Sequence, residues 1–157
     1  MSTATQHQPK IYTAHAWGEW TGGVRSEITI RHFAPVVMDE PESLGGNDTG
    51  PNPMEYVLGA LIGCKTVIFA MVAQEHGLAY TDLKFELKGT LDVRGLEGVE
   101  GVRPYFQSIQ GTIKVTTNED PDALIKVARE SERRCPVYTM LEAAGVTLDI
   151  DWQVVHP

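Results

Sequence analysis

The sequence predicts an α+β domain in which one-sided antiparallel sheets pack on helices, and three observations predict it. Leu83, Phe85, Leu87, Leu91 and Val93 face one way while Lys84, Glu86, Lys88 and Asp92 face the other, the period of a half-buried strand. Val137, Met140, Leu141 and Ala144 recur instead at i, i+3, i+4 and i+7, the period of an amphipathic helix. Residues 56–73 are almost wholly apolar and read as a helix buried on nearly all its sides. In chain order the elements run ββ(β)αββααβ, the pattern of helices laid on antiparallel sheets.

Taken from the N-terminus, residues 1–10 are polar and read as a flexible arm, and residues 11–157 as a single domain. Strands are expected at about residues 12–20 and 24–31, joined by a turn at Thr21-Gly22-Gly23, with a short extended segment at 36–39. Residues 40–53 are too rich in Gly, Pro and Asn for regular structure. Asn52 followed by Pro53 is a helix start, cap then first helical position, and that helix runs to about His76 with Gly77 as its stop. The alternating strand of residues 83–93 follows, then a loop and a second strand carrying Ile109, Ile113 and Val115. Asp120-Pro121 opens a helix to about Arg134, the helix of residues 137–144 ends at Gly145, and Val146, Leu148, Ile150, Trp152 and Val154 alternate in a closing strand.

Composition narrows the function. A chain of 157 residues suits one domain with a substantial core. A net charge of −8 disfavours nucleic acid as a partner, because phosphate binding needs basic patches. The first ten residues lack the apolar run of a secretory signal, so a cytoplasmic setting is expected, where a disulfide is catalytic or sensing rather than structural. Lys65 near the centre of the apolar run, flanked by Glu55 and Glu75, argues against a membrane span. So short a chain has little with which to cover that helix, and packing two copies as a homodimer would cover it. Five histidines at 7, 15, 32, 76 and 156 form no ligand-like pair, and no Gly-rich phosphate loop leads a strand into a helix, so neither a metal nor a nucleotide cofactor is expected.

The two cysteines carry the remaining signal. Cys64 lies within the apolar run, and Cys135 follows Arg133-Arg134 and precedes Pro136 at the junction of two helices. One thiol among apolar groups and one beside fixed positive charge suit a peroxide-reducing pair. The same facts suit two inert core cysteines, which are common small hydrophobes.

Three segments together bear on that choice: Asp39-Glu40-Pro41 leading through Leu44-Gly45-Gly46 to Gly50-Pro51-Asn52-Pro53-Met54-Glu55, the small-residue helix ending Leu61-Ile62-Gly63-Cys64, and Cys135-Pro136-Val137 about seventy residues later. In this order and spacing they resemble the OsmC/Ohr family of organic hydroperoxide reductases, over roughly residues 17–155. The resemblance implies an OsmC-like fold whose antiparallel sheets interleave across a homodimer around long central helices. It implies no metal, flavin or haem, an organic hydroperoxide as substrate, and a dithiol reductant such as a protein-bound lipoyl group.

The resemblance also implies roles. Cys64 would attack the peroxide and become a sulfenic acid, and Cys135 would resolve it as a disulfide. A free thiol of pKa near 8.5 is only about 3% ionised at pH 7, and lowering it by about two units would raise that to roughly three quarters. Burial works against this, so a cation is needed. Arg25 and Arg31 are expected on the polar face of the second strand, about 20 Å apart, with Arg31 preferred. Lys65 adjoins Cys64 but points about 100° away, which makes it the weaker choice. Familiar members carry a glutamate ten positions before the reactive cysteine; here that position is Met54, and Glu55 lies nine before. On a straight helix Glu55 is roughly opposite Cys64 and about 13 Å away, so its role needs a bend at Gly59 or Gly63, or donation by the other subunit. Leu61, Ile68 and Met140, with Phe33 or Tyr138, are expected to line the thiol and favour alkyl hydroperoxides. Arg133 and Arg134 are placed to lower the pKa of Cys135 or to attract an acidic reductant, or simply to complement a helix C-terminus. The alternative function is a non-catalytic module of the same fold that holds a small apolar ligand.

Overall fold

The structure is a computed structural model that describes residues 8–157; most of the expected N-terminal arm, residues 1–7, lies outside the described residues. The chain divides into two compact units, residues 1–53 and 54–157.

In the first unit, β1 (Trp17–Gly22), β2 (Arg25–Thr29) and β3 (Val36–Met38) form an antiparallel sheet in that order. Gly22 and Gly23 make the first turn with φ of 111° and 57°, a region where a Cβ would be strained. Both leading strands are shorter than predicted. Arg31 has φ 55°, a left-handed conformation that cannot continue a strand, so the ladder stops at Thr29 and Arg25 and Arg31 do not share a strand face. The loop after β3 is shaped rather than irregular, with a single 3₁₀ turn at Glu42–Leu44. The buried Asp39 carboxylate organises it, accepting the backbone N–H groups of Glu40, Asn47 and Thr49 at 2.9, 3.3 and 3.1 Å and the Thr49 hydroxyl at 2.7 Å. The Thr49 hydroxyl is the chief cause that holds this carboxyl below the usual range. Gly46 closes the loop against Glu40, whose carbonyl oxygen would lie 1.8 Å from any Cβ there.

The second unit takes in α1 (Pro53–His76, its first residue at the boundary), β4 (Asp82–Thr90), β5 (Ser108–Thr116), α2 (Pro121–Arg134), α3 (Pro136–Ala143) and β6 (Thr147–Val155). Its sheet is ordered β4-β5-β6. The β4–β5 pair is antiparallel, but β6 runs parallel to β5, because the α2–α3 crossover carries the chain back to the same end of the sheet. The alternation of β4 ends at Thr90; Val93 begins a 3₁₀ turn capped by the Asp92 carboxylate.

One face of the sheet and one stripe of α1 make the core. The stripe is Leu61, Lys65, Phe69, Val72 and Ala73, spaced at three and four residues. Phe69 stacks on Trp152 of β6 with centroids 5.0 Å apart. The expectation that α1 is buried on nearly all sides is corrected for the single chain: Gly59, Ala60, Gly63, Val67, Ala70 and Met71 remain exposed. By length and composition α1 is also apolar enough to cross a membrane. Its charged core residue pairs instead with another helix, as described next.

Candidate functional site

Proline fixes the position of the second cysteine. The Pro136 ring disfavours a helical conformation at the preceding residue, so α2 stops at Arg134 and Cys135 is extended, with φ −79° and ψ 112°. Pro136 then opens α3 as its first residue, and the Cys135 sulfur serves as the cap, accepting the Tyr138 backbone N–H at 3.4 Å. The thiol is thus aimed inward from a joint between two helices. It lies among Leu61, Phe106, Ile109, Leu141 and Val146 and is fully buried.

Cys64 reaches the same cluster from the flank of the α1 stripe and is half-buried. The two sulfurs are 2.8 Å apart, with the Cys135 S–H donating to Cys64. Both are free thiols, and closing to the bond length of about 2.05 Å requires only a small movement. Burial, then the hydrogen bond to Cys64, pushes the Cys135 thiol up to about 11. The idea that Arg133 and Arg134 lower it is corrected: Arg133 is held by Glu130 at 2.7 and 2.8 Å and Arg134 by Glu75.

The charge beside the thiols is Lys65. Its side chain is completely buried, and Nζ donates to Glu132 Oε1 at 3.0 Å. The Trp152 indole N–H donates to the same oxygen at 2.9 Å. The ammonium also lies 4.4 Å from the centroid of the Tyr138 ring and 5.2 Å from that of Trp152. Burial lowers the Lys65 pKa, while Glu132 and, more weakly, Cys135 and Cys64 oppose that shift. Sequence reasoning set Lys65 aside and did not single out Glu132 or Trp152. The available signal was a lysine spaced four residues from both Leu61 and Phe69, on the apolar stripe itself.

The other predicted residues are placed as follows. Arg31 belongs to the first unit, two residues past β2, with its guanidinium 4.6 Å from the Phe33 ring centroid. Arg25 is bound to Glu27 at 2.7 Å and to the Thr21 hydroxyl at 2.8 Å. Glu55 lies in the first turn of α1, and the helix runs unbroken through Gly59 and Gly63, so the chain's own helix leaves Glu55 about 13 Å from Cys64 along the axis. Met54 packs on the cluster that holds Cys135. Leu61, Ile68 and Tyr138 pack there too, but Met140 is 62% exposed and does not line the thiol. No group of three or more His, Cys, Asp or Glu side chains is placed to hold a metal among the described residues.

A family model described as OsmC-like protein matches residues 45–151, a span that includes both cysteines, Lys65 and Glu132. The chain belongs to the OsmC-like family. "Uncharacterized protein YmaD" of Bacillus subtilis (strain 168) is 28% identical over 115 residues, covering 73% of this chain and 75% of that protein. An OsmC like protein from Mycoplasma pneumoniae superposes with a TM-score of 0.74 at 15% identity, covering 95% of this chain and 100% of the other. The structure titled an organic hydroperoxide resistance protein OsmC, predicted redox protein, from Legionella pneumophila gives 0.73 at 14% identity, covering 92% and 99%. At these identities the structures establish the α+β OsmC-like fold.

Proposed function

We propose that the protein is a thiol peroxidase that reduces organic hydroperoxides to alcohols. The Cys64 thiolate attacks one peroxide oxygen, the O–O bond breaks, and the departing alkoxide takes a proton to become the alcohol. Cys64 is left as a sulfenic acid. The Cys135 sulfur displaces its oxygen as water, forming the Cys64–Cys135 disulfide. A dithiol reductant then returns both thiols by exchange and leaves as its own disulfide.

The observation that carries this reading is the 2.8 Å approach of a half-buried and a fully buried thiol from separate helices. The division of labour follows from exposure: Cys64 is the more open sulfur, and Cys135 is protected until Cys64 is oxidised. The apolar cluster around them supports an alkyl hydroperoxide over hydrogen peroxide as substrate. The Legionella relative's title points to the same class of compound. The small-residue face left open on α1 supports a homodimer formed through that helix. Arg31 and Glu55 keep the roles the family resemblance gives them, the arginine as a cation that favours the Cys64 thiolate and the acid, donated by the other subunit, orienting that arginine and helping to position the peroxide.

The test is a titration of the reduced protein with an alkyl hydroperoxide, followed by mapping of linked peptides. One equivalent is expected to consume both thiols and link Cys64 to Cys135. Cys135→Ser is expected to consume peroxide once and leave a Cys64 sulfenic acid that dimedone traps. Slow oxidation that does not distinguish the two cysteines would exclude the enzyme.

A further inference from the structure

We propose that Lys65, anchored by Glu132, is a positioning residue for the thiol pair. Its ammonium is the positive charge, applied from the core side, against which the pair releases its first proton, and Glu132 sets how much of that charge the sulfurs feel. The inference rests on reading Cys64 and Cys135 as a working pair.

The geometry comes from two neighbours on one helix reaching two positions three apart on another segment. Cys64 meets Cys135, and Lys65 meets Glu132, one turn earlier in α2. The Glu132 carbonyl accepts the Cys135 backbone N–H at 3.2 Å, and Tyr138, whose N–H caps the Cys135 sulfur, places its ring 4.4 Å from the ammonium. Glu132, Cys135 and Tyr138 therefore enclose both the Cys135 thiol and the Lys65 charge.

The groups that face Lys65 are Glu132 from α2, Cys135 at the joint, Tyr138 from α3, Cys64 from α1 and the Trp152 indole from β6. A lysine ammonium has three donors. Here the hydrogen bond goes to one carboxylate oxygen that Trp152 also uses, and the remaining contacts are two aromatic faces. Its positive field is thus only partly satisfied, in a buried setting where charge acts strongly. Apart from Glu132, the sulfurs and the Tyr138 phenol are the facing groups that can become negative, and burial pushes that phenol up to about 12. When Cys64 ionises, the Cys135 S–H already donates to it, so the pair and Lys65 share one proton-release equilibrium.

The test is the pH profile of iodoacetamide alkylation of the full reduced chain, with the modified cysteine identified by peptide mass. No peroxide is present, so a failed peroxidase reaction and a failed role for Lys65 are told apart. Lys65→Met is expected to move the midpoint up by about one pH unit or more, about tenfold slower alkylation at neutral pH, and Lys65→Arg to return part of it. Glu132→Gln is expected to move the midpoint down, because it frees the ammonium for the sulfurs. The double variant, with Met and Gln, is expected above Glu132→Gln, which isolates the lysine charge from any effect of a stranded glutamate. If Lys65→Met does not fold, the Glu132→Gln and double-variant comparison still decides. Coincident midpoints for those two, or a Lys65→Met profile that matches the wild type, would overturn the proposal.

Discussion

Raising the pH should accelerate the second half of the reaction, closure of the disulfide by Cys135. Cys135 has to give up its proton to close the disulfide, and in the reduced pair burial, then the hydrogen bond to Cys64, holds its thiol at about 11. At pH 7 that leaves about one thiolate in ten thousand, against about three in a hundred for an ordinary free thiol, some 300-fold fewer. The sign is fixed: with a raised pKa, thiolate is scarce below it and grows about tenfold for each pH unit gained, so resolution should speed up roughly a hundredfold between about pH 6.5 and about 8.5. The assay mixes reduced protein with one equivalent of alkyl hydroperoxide, quenches with dimedone at increasing times, and counts trapped Cys64 against linked peptide. A resolution rate that changes less than about threefold over that range would refute the reasoning. It would mean that the proton passes directly from Cys135 to the oxidised Cys64 across their short contact, with no free thiolate forming.

The buried ion pair makes a separate prediction about stability. Lys65→Met leaves the Glu132 carboxylate with only the Trp152 N–H and should cost about 3–5 kcal/mol in urea unfolding, while the double change with Glu132→Gln should recover much of it; additive losses would show no coupling. The open face of α1 predicts a dimer: a Cβ at Gly63 meets nothing within 4 Å in the single chain, so Gly63→Leu should leave the protomer folded yet weaken self-association at least about tenfold in sedimentation. Arg31→Ala should slow peroxide consumption by about tenfold or more while urea unfolding moves by less than about 1 kcal/mol, and an unchanged rate would remove Arg31 from the mechanism.

Much of the fold was legible because period and punctuation agreed. Asp120-Pro121, Cys135-Pro136 and Gly145 set the limits of α2 and α3, and the strict alternation of β6 could belong to no helix. What failed was what depends on partners. The parallel pairing of β5 and β6 is a property of the crossover and not of either strand's own pattern. The early end of β2 comes from one backbone conformation at Arg31, which no composition rule reports. That the chain alone leaves α1 partly uncovered was expected from its length, but which face stays open was not legible, because a run of Gly, Ala, Val and Met reads as apolar whichever side is covered. In the candidate site, the two cysteines were singled out by their settings together with the family resemblance, but the buried ammonium of Lys65 was not. The direction argument that set Lys65 aside is correct for adjacent helix positions. It overlooked that both sides of a helix edge can face one joint when that joint is built from two helices meeting at Cys135.

A leucine at position 65 would extend the stripe from Leu61 to Phe69 with no charge to desolvate. The ammonium found there instead requires Glu132 as counter-ion, Trp152 to hold that carboxylate and Tyr138 to cover the remaining face. Packing alone gives no reason for so demanding a residue, since replacing a buried ion pair by apolar side chains is often neutral or stabilising. The exposed Arg133 and the half-buried Arg134 are already committed to Glu130 and Glu75, and water would screen them. A charge inside the core is screened far less, so the proposed action of Lys65 on the thiol pair suits a buried position better than a surface one. The low screening that makes Lys65 costly to bury is therefore the same property the proposed role beside Cys64 and Cys135 requires.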